Sequence, residues 1–294
     1  MRWKLGRSGN EATFANDGSA PAKKKKKEDS FPVFLVKLAV VVFIFRSFVF
    51  SPFSIPSESM LPRLLIGDYL LAAKWSYGYS KYSLPFSLPI IPGRILENTP
   101  DRGDIAVFKA PPGNDVDYIK RVIGLPGDQI QMNSGQLFIN GEAVPKRKIE
   151  DFVIPVTQNM IDASNADAGI SPCKAPQFED KAADGSDVCR YPRFVETLPE
   201  GKSYEVLDLA MTPQDSTQVF TVPAGHVFMM GDNRDNSEDS RFPAEVGGGV
   251  GMVPIENLVG RAQIMMWSTD GSSSWLLPWT WFTAARWDRL GRTF

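Results

Sequence analysis

One histidine, His226, is all that this chain of 294 residues contains. That scarcity excludes histidine-rich metal sites and leaves any Ser–His or Cys–His pair dependent on a single position. His226 also sits in an apolar run, HVFMM, where a packed or edge-strand histidine is the ordinary role. Cysteine is nearly as scarce. Cys173 and Cys189 have no metal-type spacing, so neither a metal nor a cofactor is expected. In a reducing compartment they would be buried thiols. In an oxidising one they are free to pair, closing a loop worth roughly 3 kcal/mol in the chain-entropy model. Net charge is almost absent too, at −2, so nothing global points to a nucleic-acid partner.

What the chain has in quantity is turn formers, 24 glycines and 23 prolines, which favour short strands over long helices. Its long apolar run is residues 31–50, FPVFLVKLAVVVFIFRSFVF, which as a helix would span roughly 30 Å, the thickness of a bilayer core. Lys37 and Arg46 interrupt it near its two ends, where both can snorkel to headgroups. A five-lysine run, Lys23–Lys27, precedes it. The segment starts 30 residues in and lacks a small-residue cleavage site before Pro52, which argues against a removed secretory signal. It has no amphipathic face, which argues against a buried core helix. The expected layout is a disordered basic tail over 1–30 in the cytoplasm, a single-pass anchor over 31–50, and an extracytoplasmic domain over 51–294 in contact with membrane lipid.

Beyond the anchor, short β-prone runs recur between Gly, Pro and Asp: Asp68–Ala73, Ile105–Lys109 and Asp117–Ile123, then Gln218–Val222, His226–Met230 and Leu258–Trp267. The fold class is therefore mainly β, an antiparallel catalytic domain preceded by one transmembrane helix. Residues 131–215 differ in texture. They open with a hairpin signal at Gln136–Ile139 and Asn140-Gly141, turn Ala-, Asp- and Ser-rich, and carry both cysteines. They are expected to form a β-rich inserted subdomain with little chemistry, splitting the core into 51–130 and 216–294. At the end of the chain Trp275, Trp279, Trp281 and Trp287 interleave with Arg286, Arg289 and Arg292, a composition that suits an interfacial patch on an anionic leaflet.

The chemistry centres on FSPFSIPSESMLPRLL, Phe50 to Leu65, in which Ser59 stands between Pro56 and Pro62 just past the apolar run. A serine nucleophile needs a base. With histidine scarce, a lysine can serve if burial holds it neutral, several units below its usual value near 10.4. Lys120 is suited to this. Period-two alternation puts it on one strand face with Tyr118 and Val122, while Ile119, Arg121 and Ile123 face the other way. An exposed edge-strand lysine is the commoner fate of such a residue, and spacing alone does not separate the two.

The successive segments IPSESMLP, GDYLLAAKWSYG, RGDIAVFKAP, DYIKRVIGLPGD and GDNRDNSEDSR resemble, in order, the motifs of bacterial type I signal peptidases, serine proteases with a Ser–Lys dyad. The resemblance covers residues 31–78, 102–128 and 231–267. It implies Ser59 as nucleophile and Lys120 as general base, acting through an acyl-enzyme. Ser57 and the Ser59 N–H would form the oxyanion hole, a donor of this kind being worth about 3–4 kcal/mol of barrier. It further implies Ser237 hydrogen-bonded to Lys120, Asp239 paired with Arg241, and Asp232 meeting Arg121. Ile55, Pro56, Met60, Leu64, Tyr118 and Ile119, with Asp117 at the rim, would line a shallow apolar pocket for the small side chains of an A-x-A cleavage site. The signal-peptide-bearing preprotein would add as an extended strand along Ser54–Ser57 and Asp117–Ile119. The implied location is the cytoplasmic membrane, with the translocation machinery a partner by proximity. The chain departs from the pattern at Arg63, where the family usually has threonine. Rival readings are a self-cleaving Ser–Lys repressor, a conjugation-type processing peptidase, and a membrane-tethered binding protein without catalysis.

Overall fold

The computed structural model describes residues 30–164, 169–274 and 276–294. The lysine run Lys23–Lys27 and Trp275 lie outside the described residues. Helix α1, Phe31–Phe48, has 18 residues and a mean hydropathy of 2.1. Among the described residues it is the one helix long and apolar enough, by length and composition, to cross a membrane. It stops short of the expected boundary because strand β1, Phe50–Ser54, has already begun. Two side chains take up carbonyls that the last turn leaves free: Ser51 Oγ donates to Arg46 O at 2.8 Å, and Tyr79 OH donates to Phe48 O at 3.0 Å.

Six further strands complete the main sheet: β2 Asp68–Ala73, β3 Ile105–Lys109, β4 Asp117–Gly124, β5 His226–Met230, β6 Val253–Pro254 and β7 Leu258–Ser268. Their order is β1-β2-β7-β3-β4-β5-β6, and every neighbouring pair is antiparallel. The sequence-based strand limits hold to within about a residue in β2, β3, β4, β5 and β7. They do so because one or both faces of these strands are buried, and register is then fixed by side-chain alternation. On β4, Val122 and Tyr118 pack with Phe108 and Met229, whereas Ile119 packs with Ile55, Met60 and Leu64. Met60 and Leu64 are fully buried. Removing each from water contributes roughly 1.5–3 kcal/mol, which anchors the chain on both sides of the turn that follows Ser59.

Residues 129–221 are strand-rich as well. Gln129–Asn133, Gln136–Ile139 and Glu142–Ala143 form a meander closed by Phe220–Thr221. Asn140 (φ 55°) and Gly141 (φ 82°) form one of its turns, the primed geometry that an Asn-Gly pair favours. Two three-stranded sheets follow, one containing Arg193–Thr197 and Ser203–Leu207, the other Phe152–Pro155 and Asp187–Tyr191. Cys173 and Cys189 are bonded to each other with Cα atoms 5.6 Å apart, which answers the question that spacing left open.

The C-terminal segment corrects an expectation. Arg289 donates to both carboxylate oxygens of Asp68, which is fully buried, and Arg286 donates to the Ile66 and Thr269 carbonyls. These two arginines are internal ties, because a buried carboxylate must be paired, rather than part of a lipid-facing patch. Trp279, Trp281, Phe282 and Trp287 do remain exposed, and Trp267 is half-buried against Trp287.

Candidate active site

Ser59 lies in the turn between β1 and β2, and Lys120 lies at the middle of β4. The loop after β5, GDNRDNSEDSR, joins the two. Asn233 N–H donates to Ser59 O at 3.1 Å, and the Asn233 side-chain amide donates to Glu58 O at 3.2 Å, so the loop grips the backbone of the serine turn. Lys120 Nζ then stands 2.6 Å from Ser59 Oγ, with both residues buried. Burial pushes the Lys120 ammonium down to about 8; Asp239 pulls it upward and Arg241 presses it down further. Such a value is not by itself the mark of a base. Lys74 is as deeply buried and is also lowered to about 8, chiefly by desolvation, yet it does not line the cleft. What singles out Lys120 is the hydroxyl within reach. Ser57 Oγ lies 3.4 Å from Ser59 Oγ.

The supporting pairs are bidentate. Arg121 Nε and Nη2 donate to the two oxygens of Asp232 at 2.7 and 2.6 Å, on the strand face opposite Lys120. Arg241 Nε and Nη2 donate to the two oxygens of Asp239, each at 2.9 Å, and Asp239 also accepts from Gly231 N–H at 3.0 Å. All four side chains are buried, where paired fork geometry is what makes ionised groups tolerable.

A cleft of about 570 Å³ runs over the pair. Ile55, Pro56, Ser57, Asp117, Tyr118 and Ile119 line it, together with Ser59 and Lys120. Met60 and Leu64 do not. Both side chains are fully enclosed in the core beneath Ile55, because the turn after Ser59 folds them inward. Ser237 lines the cleft, but its Oγ makes no hydrogen bond, to Lys120 or to any other described group. The side chain is stowed against Gly231: a Cβ added at that glycine would lie 2.2 Å from Ser237 Oγ. His226 is not among the lining residues; its Nδ1 is 3.0 Å from Ala224 O at the start of β5. Among the described residues one acidic group, Asp208, Asp215 and Asp235, could offer oxygens to a metal within 4.8 Å of one another. Its hydrogen bonds are those of a loop clamp, with Lys146 donating to Asp208 and the Leu209 and Ala210 N–H groups donating to Asp235.

Residues 131–215, expected to carry little chemistry, reach the site twice. Lys174, next to Cys173, lines the cleft and donates from Nζ to Asn236 Oδ1 at 2.6 Å. Arg234, inside the loop after β5, is buried and donates to both oxygens of Glu196 and to Tyr204 OH, all within the insert. Tyr204 in turn lies under the Arg121 guanidinium, 4.4 Å from ring centroid to carbon. Phe53, Val107, Val116, Glu238 and Phe242 also line the cleft and carried no signal beyond being apolar or charged.

The family model described as Signal peptidase, peptidase S26, matches residues 29–267. The chain belongs to that family. Signal peptidase I of Rickettsia typhi is similar to this S26 peptidase, at 35% identity over 262 residues, 86% of this chain and 84% of that protein. Signal peptidase I of Rickettsia prowazekii is 35% identical over 256 residues, covering 84% and 82% of the two chains. A crystal structure of a signal peptidase I from Enterococcus faecalis covers 56% of this chain and 97% of its own at 23% identity, with a TM-score of 0.27. At that score the superposition is too loose to bear on the site. Membership of the S26 peptidases accounts for the apolar N-terminal helix as the anchor of a membrane-bound protein.

Proposed function

We propose that this chain is a signal peptidase I, a membrane-anchored serine endopeptidase that removes signal peptides from exported preproteins. The observation that carries the mechanism is the 2.6 Å separation of Lys120 Nζ and Ser59 Oγ in a buried setting. Neutral Lys120 takes the proton as Ser59 Oγ attacks the scissile carbonyl. The tetrahedral oxyanion is held by Ser57 Oγ and the Ser59 N–H. Lys120 then hands its proton to the leaving amine, and an acyl-enzyme on Ser59 remains for water to hydrolyse by the same relay.

The preprotein binds as an added strand between Ser54–Ser57 and Asp117–Ile119, segments that both line the cleft. Ile55, Pro56, Tyr118 and Ile119 leave room for small side chains before the cut, with Asp117 at the rim. Residues 31–48 anchor the protein in the cytoplasmic membrane. The lysine run before them stays in the cytoplasm by the positive-inside rule, so residues 51–294 act on the outer face, beside the translocation machinery. Within that domain, 131–215 is an insertion between the two halves of the catalytic core.

The test is to incubate the purified full chain, in a neutral detergent, with a preprotein and to map the cut by mass spectrometry. A single cut after a small residue at the signal-peptide boundary is expected from the wild type and none from Ser59→Ala. Intact preprotein, or cutting at unrelated positions, would overturn the reading.

A further inference from the structure

A second cavity, of about 490 Å³, shares no lining residue with the catalytic cleft. Six cationic side chains line it, Arg63, Arg121, Arg193, Lys202, Arg289 and Arg292, against one acidic one, Glu205. The carboxylates that balance several of these cations are not among the lining residues: Asp232 for Arg121, Asp68 for Arg289 and Asp288 for Arg292. Glu205, inside the cavity, accepts from Arg193 Nη1 at 3.1 Å, which leaves Nη2 of the Arg193 fork for a ligand. Lys202 is 3.5 Å from Asp104, which it shares with Arg261 at 3.7 Å. Among the described residues Arg63 forms no ion pair with a carboxylate side chain. It donates to the Thr293 carbonyl, and its guanidinium lies 5.3 Å over the Phe294 ring. Burial, chiefly, and then Arg121 hold its pKa below the usual guanidinium value, with Asp232 and Glu205 acting in the other direction. Nothing in the proteolytic mechanism uses Arg63.

We propose that this cavity binds a phosphate-bearing anion, with Arg63, Arg193 and Arg292 as its principal donors. The cavity has an excess of positive charge and one guanidinium that hydrogen-bonds a carbonyl and no carboxylate, so an anion relieves a cost already present. Forked donors drawn from three separate segments suit a tetrahedral phosphate, which accepts from several directions, better than a planar carboxylate. The space exceeds that of a bare phosphate and admits a phosphate ester. That ester is either the headgroup of an anionic phospholipid or a soluble phosphate compound.

Calorimetric titration of the full chain in neutral detergent distinguishes these sources. Inorganic pyrophosphate is one probe. Glycerophosphoglycerol, the deacylated headgroup of an anionic phospholipid, is the other. Saturable binding of at least one probe is expected, weakened about tenfold in Arg63→Gln and in Arg292→Gln. Arg63→Lys, which keeps the charge and loses the fork, is expected to fall between. Tighter binding of the headgroup assigns the lipid, and tighter binding of pyrophosphate assigns a soluble ester. Because the readout is binding, Ser59→Ala should bind as the wild type does, so this result and the proteolytic reading fail separately. Absence of saturable binding by the wild type, or equal binding by wild type and both glutamine variants when their thermal unfolding is unchanged, would overturn the site.

Discussion

Lys120 Nζ approaches Ser59 Oγ to 2.6 Å from a strand whose next residue, Arg121, is turned to the opposite face and locked to Asp232. The alternation of one strand thus separates the lysine proposed as the base from an arginine that never loses its proton. With burial lowering Lys120 to about 8, only about a tenth of it is neutral at pH 7. kcat/KM for preprotein cleavage should therefore rise roughly tenfold per pH unit below 8 and level off above it. Lys120→Ala should lose at least about a thousandfold while keeping its unfolding profile. A profile flat between pH 6 and 9 would remove Lys120 as the base.

The same burial carries a stability cost with a definite sign. The folded-state pKa of Lys120 lies below its unfolded value, so the unfolded chain binds more protons and stability rises with pH in that window. The cost is full below pH 8, fades as pH rises toward about 10.5, and is gone above it. Lys120→Met removes the charge and keeps the volume. It should be inactive yet more stable at pH 7, by an amount on the order of 3 kcal/mol, with the gain vanishing near pH 11. Denaturant unfolding at pH 7 and pH 10.5 measures this directly. An equal gain at both would show that packing, not charge, is responsible.

His226→Ala tests the alternative base. The ring is half-buried, bonded locally to the Ala224 carbonyl, and absent from the cleft. Cleavage rates should stay within about twofold of wild type, and stability within about 1 kcal/mol. A dead but folded variant would reopen the histidine mechanism.

How far the sequence could be read depended on the range of the signal. Period-two runs located β2, β3, β4, β5 and β7, because each strand's burial pattern is written in adjacent residues. Strand β1 was hidden, since Phe50–Ser54 reads FSPFS, whose first residue falls within the apolar run and whose serines and proline carry no strand signal. Motif matching named Ser59 and Lys120, which lie 61 positions apart and meet in space. It did not separate the wall of the cleft from its floor: Ile55 and Met60 are equally apolar, and only the path of the serine turn decides that Met60 is enclosed. Nor did it reveal long-range ion pairs. Arg289 looked like a lipid-facing residue because its partner, Asp68, is 221 positions away. Glu196 lay in a stretch with no recognisable pattern, although Arg234, in the most recognisable loop of the chain, depends on it.

That dependence leads to the last prediction. Arg234 and Glu196 are both buried and joined by two hydrogen bonds, and Tyr204 OH donates to Glu196 at 2.7 Å. Glu196→Gln keeps the shape of the side chain but leaves the Arg234 guanidinium buried without a counter-charge. Breaking one partner of such a pair typically costs about 3–5 kcal/mol. Because Arg234 O also accepts from Arg241 at 2.6 Å, the strain enters the loop that grips Ser59. Glu196→Gln should therefore lower both the unfolding midpoint and kcat, with KM less affected, since the cleft walls at Ile55 and Ile119 are untouched. The double variant Glu196→Leu with Arg234→Met removes both charges and should recover most of the stability. If it also recovers kcat, the insert serves the loop through charge balance alone; if stability returns and kcat does not, the Arg234 guanidinium sets the geometry of the loop itself.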